Sequence, residues 1–150
     1  MRKALIVLGA VLVASLGMAR AKQNATQDKP KDPQGAADDY KIPQEDIDKK
    51  NPVKPSPEGL AAARKIYGYD CAMCHGPKGD GKGDLVESMK LTMHDWREAA
   101  TFEGKTDGEL FFIITKGKGK MTGEDDRVSV TVRWNLVNLA RSYAKKDAGN

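Results

Sequence analysis

The sequence predicts an all-α fold, a small domain of about three to five helices behind a leader and a polar linker. Three observations predict it. Two segments, one near the middle of the chain and one at its end, place apolar residues at helical spacing. A third, shorter apolar run sits between a capping box and a glycine stop. No segment alternates apolar and polar residues over two paired runs, as a sheet would require.

The chain opens with Met1, Arg2 and Lys3, an apolar run to about residue 18, and then Ala19-Arg20-Ala21. A charged start, a short apolar core and a small-x-small ending describe an export leader over 1–21, with cleavage after Ala21. The run is roughly 14 residues, short of the about 20 that a membrane span needs. An uncleaved leader would instead leave a membrane tether. From 22 to 55 the chain is polar and punctuated by proline, as in Asp28-Lys29-Pro30-Lys31-Asp32-Pro33. Such a stretch cannot offset its own ordering entropy and reads as a disordered linker. Tyr40 and Ile42 are the one place where it could lie along a surface.

The formal charge of +4 is largely that of the leader. Arg2, Lys3 and Arg20 belong to it, so the 25 basic residues fall to 22, against 21 acidic ones. A charge near +1 argues against nucleic acid as a partner.

The folded domain is expected over 56–146, with 147–150 as a tail. Ser56 suits an N-cap, Pro57 the first helical position, and Glu58 the positive end of the dipole. Leu60, Ala63, Ile66 and Tyr67 then form one apolar face that leads straight into Cys71. After His75, glycines at 76, 79, 81 and 83 exclude a helix and suggest backbone passing close to something flat and bulky. A phosphate-binding loop would need a preceding strand and a Gly-Lys-Ser/Thr ending, both missing. Thr106-Asp107-Gly108-Glu109 is a capping box, followed by Leu110-Phe111-Phe112-Ile113-Ile114 and a stop at Gly117. That helix is core, although Phe111, Phe112 and Ile114 could also line a pocket. The last helix starts after Ser129 and runs to Ala144 or Lys145. Val132, Leu136, Leu139 and Tyr143 are in phase on it, flanked by Trp134 and Val137, and Lys145 and Lys146 suit its C-terminal end.

Chemistry concentrates in Cys71-Ala72-Met73-Cys74-His75, which holds both cysteines and one of two histidines. C-x-x-C-H is the attachment pattern of a c-type haem. Two thiols three positions apart on a helical turn can reach both vinyl groups on one side of a porphyrin. The adjacent imidazole then lies under the iron. A redox dithiol would want a βαβ setting, and zinc a fourth ligand, where the second histidine, His94, is nineteen positions on. Export agrees with thioether attachment outside the cytoplasm, which in a bacterium means the periplasm. For the sixth iron position the candidates are Met121, His94, Met93, Met89 or an open site. Met121 is preferred, because Lys116-Gly117-Lys118-Gly119-Lys120-Met121 is a loop able to present a thioether without unwinding a helix.

These residues resemble the class I, monohaem, periplasmic cytochrome c family from about 57 to 146. The landmarks are Cys71-Ala72-Met73-Cys74-His75-Gly76, Thr106-Asp107-Gly108-Glu109-Leu110-Phe111, the Gly117/Gly119/Met121 loop, and Trp134-Asn135-Leu136-Val137-Asn138-Leu139-Ala140-Arg141-Ser142. The resemblance implies a small fold wrapped around one haem c, thioethers at Cys71 and Cys74, His75 and Met121 as iron ligands, and one-electron transfer without a catalytic residue. It also implies first and last helices that cross closely, with Ala63 in the small-residue position and Trp134 in the aromatic one. Two positions depart from the family. Thr122 stands where a proline often follows the ligand methionine. Asp84 stands where a proline carbonyl often orients the imidazole, so the expected hydrogen bond to the ring lacks an identified partner. Leu91-Thr92-Met93-His94-Asp95-Trp96 resembles a segment that covers the propionates, with Trp96 either bonding one or packing in the core.

The expected activity is electron carriage by a monomer, not an enzyme, with no small-molecule substrate. Lys78, Lys82, Lys116, Lys118 and Lys120 could ring an exposed haem edge for redox partner proteins, or be solvated loop lysines offset by nearby acids. The rivals are a haem enzyme or gas sensor with a labile sixth site, for which Arg97 and His94 could serve distally, and an electron-donor subunit of a larger oxidoreductase.

Overall fold

The first strong helix forms where its capping residues direct. In the computed structural model, residues 40–144 are described, and all of them fall within one compact unit. The expected leader, the linker up to residue 39 and the chain beyond Ala144 lie outside the described residues. Helix α2 (Pro57–Ile66) starts at Ser56, whose Oγ accepts the Gly59 N–H at 3.0 Å. It continues without a break into a π-helical turn, Tyr67–Cys71, and then into α3 (Ala72–His75). The wider turn re-phases the chain just before the cysteines, a device common at functional sites. Helix α4 (Asp107–Lys116) is capped by Thr106, whose Oγ1 accepts the Glu109 N–H at 3.1 Å. A short 3₁₀ turn, Ala99–Phe102, precedes it.

Gly117 ends α4 at φ +79°, and a Cβ there would overlap the Met121 carbonyl oxygen. It also opens a feature absent from the all-α expectation. Strands β1 (Gly117–Lys118) and β2 (Met121–Thr122) pair antiparallel, Gly117 with Thr122 and Lys118 with Met121. At two residues each they were too short for alternation to reveal. Among the described residues the architecture is otherwise helical.

Helix α5 (Val130–Ala144) packs against both α2 and α4. Its apolar residues suggested one buried face, yet Arg133, Trp134, Asn135, Leu136, Val137, Leu139 and Ala140 are all buried. The widest contact between elements is α2 on α5. At their crossing Ala63, fully buried, sits with Tyr67, Leu136 and Leu139. The small residue is where the resemblance implied. The aromatic one is not, because Trp134 stacks instead on Phe111 of α4, ring centroids 3.9 Å apart at 14°. Its place at the crossing is taken by Tyr67.

The linker expectation fails for residues 40–55. Helix α1 (Gln44–Ile47) packs on α4, and Thr106 Oγ1 donates to the Ile47 carbonyl at 2.5 Å. Asn51 Nδ2 donates to Asn138 Oδ1 at 3.0 Å, and Asn138 Nδ2 donates to the Val53 carbonyl at 2.9 Å. Tyr40 meets Phe112 edge-on at 6.1 Å. Few apolar side chains are needed, because the segment is held through its backbone carbonyls and one asparagine pair. Composition does not reveal contacts of that kind.

Gly108, buried in α4, lies against α1, and a Cβ there would overlap the Asp46 carbonyl oxygen. Replacing it by alanine should push the 40–55 segment off α4 at a cost of about 1–3 kcal/mol. A fall in the urea midpoint, together with faster proteolysis within 40–55, would show it.

Candidate functional site

Tyr67 connects the helix crossing to the motif. Its hydroxyl donates to the Gly76 carbonyl at 2.6 Å, across the turn that holds both cysteines. The glycine loop closes the rest of that turn. Gly81 N–H donates to the His75 carbonyl at 2.8 Å, Gly83 N–H to Cys74 at 3.3 Å, and Leu85 N–H to Met73 at 2.9 Å. The carbonyls that a four-residue helix leaves open are thereby satisfied. Within the loop, Gly79 packs against the flat Tyr143 ring. Tyr67 and Tyr143, 5.6 Å apart, belong with Trp96 to one aromatic cluster.

The structure brings three of the four candidate residues around one cavity. Cys71, His75 and Met121 line it with Tyr67, Trp96, Ile114, Glu124, Leu136 and Ala140. Cys74 lies in the same turn, and both cysteines are free. Of the three α4 residues proposed for a pocket, Ile114 lines it, while Phe111 and Phe112 pack elsewhere. Met89, Met93 and His94 are not among the lining residues, and His94 is exposed. Arg97 is held by Asp95, Nε to Oδ1 at 2.9 Å and Nη2 to Oδ2 at 2.5 Å, and borders a separate cleft. The distal pair imagined for an enzyme is therefore not assembled.

Burial sets the protonation states. The His75 imidazole is pushed down from 6.5 to about 4 by desolvation and is neutral at physiological pH. The Cys71 thiol is pushed up to about 12, first by burial and then by Glu124 and Asp70. A redox dithiol needs an accessible, lowered thiol, so the disulfide-exchange reading loses its chemistry. Among the described residues no three His, Cys, Asp or Glu side chains gather as a metal-ion site, so zinc has no ligand set.

The donor set fits a covalently held haem. Two free thiols stand three positions apart on a helical turn. A neutral imidazole beside them has its Nδ1 buried and without a hydrogen-bond partner, and a thioether lines the same cavity. The enclosed space is small, about 30 Å³. The hydrogen bond expected to orient the His75 ring is not made. Trp96 stacks on that ring instead, centroids 4.2 Å apart at 30°, and fixes its plane by packing. Trp96 belongs to the aromatic cluster with Tyr67, His75, Phe102 and Tyr143.

Sequence reasoning missed Glu124. It is 4% exposed and lines the cavity, with Oε2 buried and without a partner. No periodicity marks it, since it sits in a loop. The lysine rim is also thinner than expected. Lys116 pairs with Asp125 at 2.7 Å, Lys118 lies over the Tyr40 ring, and Lys120 donates to the Met89 carbonyl at 2.9 Å.

Comparison with known proteins identifies a family. A family model described as "Cytochrome C oxidase, cbb3-type, subunit III" matches residues 58–138, just over half of the chain. No curated protein matches. Among solved structures, the Kuenenia stuttgartiensis reducing HAO-like protein complex Kustc0457/Kustc0458 is similar at 22% identity and a TM-score of 0.55. The match covers 72% of this chain and 54% of that one. The KustC0563 c-type cytochrome is 22% identical with a TM-score of 0.47, covering 54% of this chain and 95% of that one.

In the haem-free chain the unfolded imidazole takes up a proton below pH 6.5 and the folded one below about 4. The stability contributed by a neutral His75 is therefore present above 6.5 and lost as pH falls towards 4. Urea midpoints measured across that window should drop more steeply for the native sequence than for His75→Gln. Parallel slopes would contradict the assignment.

Proposed function

The chain belongs to the cytochrome c family whose model is described as cbb3-type cytochrome c oxidase subunit III, and from that membership we propose that it is a periplasmic one-electron carrier bearing one c-type haem. Haem-based electron transfer follows from the family. The single haem, the His75/Met121 ligation and the compartment are the proposal. The observation that carries it is the convergence of Cys71, His75 and Met121 on one cavity from α2–α3 and from the hairpin after α4.

A haem attached through Cys71 and Cys74 would supply the ferric/ferrous couple. The chain supplies the rest. Burial keeps His75 in the neutral form that donates a lone pair, and Trp96 holds its ring plane. Met121 offers a soft thioether, which raises a reduction potential. Tyr67, Ile114, Leu136 and Ala140 furnish an apolar wall that excludes water and limits reorganisation when charge changes. Lys78 and Lys82 are the lysines of the expected rim whose side chains no hydrogen bond, ion pair or ring contact holds among the described residues. They are the cations we assign to docking with an acidic redox partner. The export leader argues for the periplasm, with cleavage after Ala21.

A second reading is a donor subunit within a larger oxidoreductase. It is favoured by the family description, which names an oxidase subunit, and by the similar solved protein, which is a complex. Both readings use the same site.

Replacing Met121 by alanine should abolish the ferric methionine–iron charge-transfer band, lower the potential and open the ferrous protein to carbon monoxide. The native protein should show the band and resist carbon monoxide. Identical spectra for the two would remove Met121 from the iron.

A further inference from the structure

The hairpin that carries Met121 cannot hold itself. It has two paired positions, and isolated ladders of that size are not stable in water. Hydrogen bonds to backbone carbonyls tie it at two points: Tyr40 Oη donates to the Gly117 carbonyl at 2.6 Å, and the Lys120 ammonium donates to the Met89 carbonyl. A charged contact ties the chain just behind β2. Arg127 Nη2 donates to Glu124 Oε1 at 2.7 Å, and Nη1 reaches Asp70 Oδ1 at 3.4 Å. Asp70 is the residue before Cys71, inside the π-helical turn. One guanidinium therefore spans from the cysteine-bearing turn to the loop that follows Met121.

The two ends of this bridge are not equivalent. Arg127 is 54% exposed, whereas the Glu124 side chain is 5% exposed, with Oε2 buried and unpartnered. A buried carboxylate with one bonded oxygen depends on its counter-charge, and Arg127 is the cation that bonds it. Glu124 is also fixed through its backbone, its N–H donating to the Ile114 carbonyl at 3.0 Å and its carbonyl accepting from Val128 N–H at 3.0 Å. Without the guanidinium, the link from Glu124 to Asp70 is lost, and the buried carboxylate must neutralise or turn towards water.

We propose that Arg127 is a positioning residue that latches the Met121 loop onto the Cys71 turn, and so sets how readily the sixth iron position opens to an outside ligand. The proposal rests on the reading that Met121 ligates the iron. Salt weakens the exposed reach to Asp70 before it weakens the bond to Glu124.

The test compares the haem-loaded native protein with Arg127→Gln, which keeps a polar head without charge, and with Arg127→Lys, which keeps the charge. Two readouts are taken, carbon monoxide association with the ferrous protein and amide hydrogen exchange over 117–128. In Arg127→Gln both should accelerate, by roughly twofold to fivefold for a partly screened pair. Exchange in α5 should stay unchanged, and Arg127→Lys should fall between. Native-like exchange and association in Arg127→Gln would overturn the latch. Equal acceleration in α5 would also overturn it, by reducing the effect to general destabilisation. If the native protein itself binds carbon monoxide freely and lacks the methionine band, the ligation reading falls. Exchange over 117–128 then decides the latch by itself, faster exchange supporting it and unchanged exchange refuting it.

Discussion

The close crossing of α2 and α5 at Ala63 is the constraint on which the rest depends. A methyl group with no solvent exposure separates the two backbones there, and Tyr67, one turn later, uses that closeness to reach both Leu139 and the Gly76 carbonyl. The direction in which α2 points fixes where the chain meets Cys71. Small residues permit this approach because helix spacing follows side-chain size at the contact. A larger residue at position 63 would displace the attachment turn as well as the crossing.

Helix α5 completes the scaffold by being polar in unusual places. Asn138 holds the 51–53 segment, Arg141 donates to Asp107 at 2.5 Å and to the Lys105 carbonyl at 2.7 Å, and Trp134 stacks on Phe111. One helix thus joins the N-terminal segment, α2 and α4. A domain of this size buries a modest core, and hydrogen bonds from its central helix spread that core's reach. Arg133 pays for this position: buried at 7% exposure, it leaves Nε and Nη1 unpartnered and lies over the Phe111 ring at 5.3 Å.

Within the cavity, burial does opposite things to neighbouring groups for one reason, the cost of charge away from water. It lowers His75, raises Cys71 and raises Glu124. The first two become a neutral donor and a protonated thiol, the forms suited to ligation and to a non-redox cysteine. Glu124 is pulled back towards ionisation by Arg127, so the guanidinium governs both its charge and its place.

The sequence by itself determined what is local. Ser56 and Thr106 cap the helices they were expected to cap, Gly117 ends α4, and α5 begins directly after Ser129, because capping and turn preferences act within a few residues. Cys71-Ala72-Met73-Cys74-His75 declared its chemistry through spacing on one turn. Tertiary structure decided what joins distant parts of the chain. It gave Tyr67 the place foreseen for Trp134 and seated residues 40–55 through backbone carbonyls. It also replaced the His75 hydrogen bond with Trp96 and drew Glu124 from an apparent surface loop into the cavity. Those outcomes depend on which surfaces meet after the helices cross, and neither period nor composition encodes such meetings.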